Sequence, residues 1–287
     1  MDDAVREQML VFQKNEITEY HIYRKLATLI KDPNNSQVLQ RIADEEKKHY
    51  DILREHTGTE VKPDRFRIWY YITISRVLGL TFGVKLMEKG EENAQEAYDS
   101  ITESFPEARD IKEDENEHER ELLSLLDEER LKYVGSIVLG LNDALVELIG
   151  ALAGLTFALQ DTRLVATAGL VTGIAASLSM AASEYLSTRS EPSDKNPVKA
   201  ATYTGFAYIF AVALLILPFL VLGHLYLCLG VSLIMAVLII FIFTFYVSVA
   251  QEVSFKKRFL EMITISMGVA LVSFLIGLIV RMGLGIE

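Results

Sequence analysis

Two Glu-x-x-His motifs stand out in the chain, Glu46-Lys47-Lys48-His49 and Glu115-Asn116-Glu117-His118. In a helix, residues i and i+3 share a face, so each motif aims a carboxylate and an imidazole the same way. One such motif in a charged helix is ordinary surface; two are informative. Glu16 is followed seven residues later by Tyr23, and Glu91 seven later by Tyr98. The pattern reads as two copies of one unit, Glu…Tyr followed by Glu-x-x-His. One Glu from each of two helices, with one Glu-x-x-His from each of two others, is the donor set of a dinuclear carboxylate bundle. There the carboxylates bridge and neutralise two divalent cations and one imidazole terminates each. Mixed oxygen and nitrogen donors suit iron or manganese. Glu19 and Glu88, three residues from Glu16 and Glu91, can join or exchange with them.

A second set of carboxylates lies in very different surroundings. Asp143 and Glu147 are spaced i and i+4 within an apolar run, beside Gly140, Ala144, Gly150, Ala151 and Gly154. Met180 and Glu184 have the same spacing, and their face extends back through Ser177, Gly173 and Gly169. Ionisable groups inside membrane spans are costly and mark pathways by default. Carboxylates with a thioether make a wet route for a soft-to-borderline cation such as ferrous iron, and can exchange a proton for a metal ion.

The elements that position these groups follow from charge. Residues 1–132 hold 30 Asp+Glu and 20 Lys+Arg, whereas residues 133–287 hold 9 and 8. An acidic, charge-dense head thus precedes 155 residues too apolar for water, and the expected domains are 1–132 and 133–287. The acidic head argues against nucleic acid. The lone Cys228 excludes a disulfide framework or a cysteine zinc site. The start, Met1-Asp2-Asp3, is unlike a signal peptide, which leaves the head in the cytosol.

Five apolar runs reach the roughly 20 residues that a bilayer requires, at 133–159, 163–187, 200–222, 225–250 and 259–281. With the N-terminus inside, Arg130, Lys132, Arg189, Lys195, Lys199, Lys256, Lys257 and Arg258 fall inside, against Arg163 and Arg281 outside. The C-terminus is then outside. The head reads as helices over about 4–31, 36–56 and 65–104, with a fourth opening at Pro106 and leading into the first span. Residues 66–84 are apolar enough for a sixth span, but Arg67 and Arg76 oppose it. A crossover packed on the bundle, or lying on the membrane surface, is expected instead.

The head resembles the rubrerythrin-like branch of the ferritin superfamily, in EITEYHIYRKLA, ADEEKKHYDIL, EKGEENAQEAY and EDENEHERELL. The resemblance implies a cytosolic four-helix bundle holding two iron ions, with manganese an alternative. Its ligands would be Glu16, Glu46, His49, Glu91, Glu115 and His118, with Tyr23 and Tyr98 behind them. The four-cysteine iron centre of rubrerythrins has no counterpart here. The membrane half resembles the vacuolar iron transporter family, in GLNDALVELIGALAGL, SMAASEYLS and the LPF around Pro218. That resemblance implies a homodimer exporting ferrous or related divalent cations from the cytosol against protons, through Asp143, Met180 and Glu184; Glu147 is added from its spacing. The long acidic, Met-rich segment of eukaryotic members is replaced by TRSEPSDKNPVK. Fusions of these two modules form the membrane-bound ferritins, which this chain resembles. The expectation is an all-α, multi-pass protein of the plasma or inner membrane that exports metal. The alternative is a membrane-anchored di-iron oxidase acting on ferrous iron or peroxide.

Overall fold

The computed structural model describes residues 3–30, 32–102, 105–124, 132–192, 195–251 and 253–284, and among them the regular structure is entirely helical. The chain divides into two compact units, residues 1–128 and 129–287.

The first unit contains α1 (Asp3–Ala27), α2 (Pro33–Thr57), α3 (Arg65–Leu78), α4 (Leu80–Ile101) and α5 (Ala108–Ser124). Local chemistry sets the ends. The Asp32 carboxylate accepts the Asn35 N–H, and Pro33, with its fixed φ, begins α2. Gly58 ends it at φ +63°. Asp64 caps α3 by accepting the N–H groups of Phe66 and Arg67. The single helix expected over 65–104 is two. Gly79 adopts φ +103° and ψ 153°, a backbone region that is essentially glycine-only, and one helix ends and the next begins there. The two helices close up because Gly83 has no side chain; a Cβ there would lie 1.9 Å from Ser75 Oγ. Apolar residues on both sides of Gly79 hide this break from the hydropathy pattern.

Helix α1 packs on α2 and α3, α4 on α3 and α5, and α5 also on α2. Two apolar layers result. One gathers Ile22, Tyr23, Leu26, Leu39, Ile42, Val84, Met87 and Leu122; the other Met9, Phe12, Leu53, Tyr98, Ile101, Phe105 and Ile111. On α1, α2 and α5 the interval between the layers holds Glu16, Glu46 with His49, and Glu115 with His118.

The second unit contains α6 (Val134–Leu159), α7 (Thr162–Ser190), α8 (Pro197–Val221), α9 (Leu225–Ala250) and α10 (Phe255–Leu284). All five are long and apolar enough to cross a membrane. Asp161 caps α7 and Asn196 caps α8, and each carboxyl or amide oxygen accepts two backbone N–H groups. Helix α6 is central and packs against the other four. Its contact with α10 is a backbone approach: a Cβ on Gly277 would lie 2.2 Å from the Gly154 carbonyl. The outward faces carry Phe206, Leu220, Ile234, Ile242 and Leu260, a surface suited to lipid. Cys228 is buried and free.

Candidate metal centre

The N-terminal carboxylates and imidazoles converge. Glu16 from α1, Glu46 and His49 from α2, and Glu115 from α5 each offer a donor atom, all within 4.8 Å of one another, and all four are buried. His118 from α5 stands beside them. The two oxygens of Glu46 divide between the two rings: Oε2 is 3.5 Å from His49 Nδ1, and Oε1 is 3.2 Å from His118 Nδ1. Glu115 does the same, with Oε1 3.4 Å from His49 Nδ1 and Oε2 3.9 Å from His118 Nδ1. Glu16 Oε2 lies 3.5 Å from His49 Nδ1. The rings are 5.9 Å apart.

Each ring is aimed from the opposite helix. His49 Nε2 lies 3.1 Å from Asp114 Oδ2, and His118 Nε2 lies 2.8 Å from Glu45 Oε2. A carboxylate behind the outer nitrogen fixes the tautomer and leaves Nδ1 as the inward donor. The i, i+3 spacing does not single out Glu45 and Asp114, yet their signal is plain: an acidic residue precedes the Glu of both Glu-x-x-His motifs. Tyr98 stacks on Phe12 at 4.1 Å and donates its hydroxyl to Glu16 Oε1 at 2.5 Å. Tyr23 is buried in the apolar layer with Ile22 and Leu26. Glu19 is buried, its Oε1 3.7 Å from Arg67 Nη2. The side chains of Glu88 and Glu91 lie outside the described residues.

Burial and crowded charge shape the electrostatics. Burial raises the pKa of Glu115, and the charge of Glu46 adds to it, bringing it to about 8. Burial also pushes Glu46 well up; contact with His49 opposes this and the charge of Glu16 reinforces it. Glu16 ends below its ordinary value: burial works against its charge, but the close approach and charge of His49 outweigh it. For His49, burial opposes the imidazolium, but Glu115, Glu16 and Glu46 overcome it and hold its pKa far above normal. Burial, with the charges of Glu16 and Glu115, keeps the Tyr98 phenol protonated.

These donors fit a metal. Glu16 Oε2, Glu46 Oε2, His49 Nδ1, Glu115 Oε1 and His118 Nδ1 are all buried without a hydrogen-bond partner. One proton on His49 Nδ1 cannot serve three carboxylate oxygens, whereas a divalent cation can serve all of them.

In the second unit the sequence-predicted groups are spread along the helices. Glu147 lies midway along α6 and is exposed on its surface, and it accepts a hydrogen bond from Tyr208 Oη of α8 at 2.8 Å. Asp143, one turn earlier, is half-buried. Glu184 of α7 accepts from Ser136 Oγ, at the start of α6, at 2.6 Å. Met180 is half-buried and packs on the apolar core. Ser136 and Tyr208 carried no spacing signal; only packing brings them to the carboxylates.

Residues 134–193 match the model of the VIT family. That stretch is similar to the vacuolar iron transporter family, and with the five apolar helices the match supports a membrane protein. It covers α6, α7 and their junction, and it contains Asp143, Glu147, Met180 and Glu184. No curated protein and no solved structure matches the chain.

Proposed function

We propose that the protein exports a divalent metal ion, ferrous iron or manganese, from the cytosol through its membrane unit, with protons as counter-ion. The observation that carries this reading is where the VIT match falls. Its 60 residues, 134–193, hold all four intramembrane candidates, Asp143, Glu147, Met180 and Glu184. Glu147 sits midway along a span on an exposed face, where lipid is poor company for a carboxylate. A homodimer covering that face would turn it into a water-filled route. The head is then cytosolic, by the distribution of Lys and Arg.

The head holds two metal ions in this reading, as a ferritin-like di-metal bundle. Glu16, Glu46, His49, Glu115 and His118 would hold them, together with Glu91 from the resemblance. Glu19 and Glu88 are auxiliary donors, and Tyr23 and Tyr98 stand behind the ligands. Bound there, iron supplies redox chemistry; the residues bind, orient and hold protons. The head thereby concentrates or senses the transported metal. The enclosed cluster also supports a second activity, oxidation of ferrous iron by oxygen or peroxide.

Anaerobic ferrous-iron uptake into inside-out proteoliposomes under an imposed proton gradient tests the reading. Gradient-dependent uptake by the full chain, lost in Asp143→Ala, is the expected result. Wild-type uptake in Asp143→Ala removes that residue from the pathway. No uptake by the intact chain, with oxygen consumed on adding ferrous iron in air, makes it an anchored oxidase.

A further inference from the structure

Helix α3 has a side that the fold leaves uncovered. Phe66, Trp69 and Val77 are 69%, 61% and 67% exposed, and with the half-buried Tyr70 they form one stripe at helical spacing. The Phe66 ring lies 6.0 Å from Trp69 and 6.2 Å from Tyr70, so the aromatic surface is continuous. The opposite side is firmly seated. Ile68 and Tyr71 pack on the Ile22–Leu39 layer, and Arg67 Nη1 donates to Asn15 Oδ1 at 2.7 Å. Lys14 pairs with Asp64 at the helix start. The stripe is therefore a fixed surface.

Its charge is unlike that of the rest of the head. Residues 65–87 carry Arg65, Arg67, Arg76 and Lys85 and no acidic residue, inside a half with ten more acids than bases. Arg65 and Arg76 are exposed at the two ends of the stripe. Aromatic rings flanked by cations fit the headgroup layer of a bilayer, where indole and phenol rings collect and anionic phosphates attract arginine. At 14 residues α3 is about 21 Å long, short of the ~30 Å hydrocarbon core, so it suits lying on a membrane and not crossing one. A second copy seated on the stripe would set the same arginines against each other, whereas a phosphate surface pairs them.

We propose that the Phe66–Trp69–Tyr70–Val77 face of α3 docks on the anionic headgroup layer of the membrane that the protein's own spans cross. This docking depends on neither the transported ion nor the head metal. Trp69 is the chain's one tryptophan, so its fluorescence reports on this face alone. The full chain is reconstituted in phosphatidylcholine vesicles with and without phosphatidylglycerol. The expected result is a blue-shifted emission that brominated lipids quench and aqueous acrylamide does not, more strongly with the anionic lipid. Arg65→Glu and Arg76→Glu each shift the docked-to-free ratio by about fivefold, with helix content unchanged by circular dichroism. Emission of a water-exposed indole, quenched by acrylamide in both lipids, overturns the proposal. So does a blue-shifted emission that brominated lipids leave untouched, which would mean a protein covers the face.

Discussion

In the N-terminal unit Glu46 and Glu115 each face two imidazole nitrogens, whereas in the membrane unit Glu147 and Glu184 each face a single hydroxyl. The first pair is buried, crowded by like charge and aimed by carboxylates behind each ring. The second pair is half or fully exposed on its own unit and held by one neutral donor. Nitrogen and carboxylate donors fixed from behind make a site that keeps a cation; weakly held carboxylates at separate heights make stations that release one. In the proposed function the same residue type would serve retention in one unit and transit in the other.

The largest expected effect breaks the first member of this comparison. Glu46→Ala removes one of the two carboxylates that both histidines share, and head metal content in the purified full chain, read by elemental analysis, should fall to background while helix content stays. Glu115→Gln should also empty the site, yet stabilise the metal-free protein. The folded carboxyl titrates near 8, above its ordinary value of 4.5, so its proton favours the fold. Its contribution is fully present below about 4.5 and is lost as pH rises through about 8. The thermal midpoint of the metal-free wild type should decline over that window, and Glu115→Gln should flatten the decline. An equal slope in both proteins would refute the assignment.

Smaller effects sharpen the contrast. Glu45→Gln and Asp114→Asn keep the donors but loosen their aim, and each should weaken metal affinity by about 10- to 100-fold in competition titrations. An unchanged affinity would show that the rings are held by packing alone. The smallest effect belongs to the membrane: Ser136→Ala removes one hydroxyl from Glu184 and should cost about 1 kcal/mol, a few-fold in flux. Head metal content should not move.

Helix content, the five long apolar helices and the convergence of Glu16, Glu46, His49 and Glu115 were legible because periodicity and i, i+3 spacing report directly on shared faces. The break at Gly79 was not, since a glycine inside a continuous apolar run looks the same whether the helix passes through it or turns. Nor was the pairing of Tyr98. Spacing associates it with Glu91 seven residues earlier, whereas packing delivers its hydroxyl to Glu16 on another helix. Glu45 and Asp114 were overlooked among many acidic neighbours, although each occupies the same place in its motif. Ser136 and Tyr208 meet their carboxylates only through the crossing of α6 with α7 and α8, which no local pattern encodes.

The crossed arrangement, in which Asp114 on α5 aims the ring of α2 and Glu45 on α2 aims the ring of α5, bears on the lifetime of the protein. Neither half of the site is complete until both helices dock, so occupancy and docking form one equilibrium. A ligand that binds only the docked state stabilises it by RT ln(1 + [L]/Kd). Without a bound ion the docked state would lose this stabilisation and open more often, exposing α5 to proteases. If the head binds a divalent ion there, the resistance of α5 to proteases would rise with the concentration of that ion.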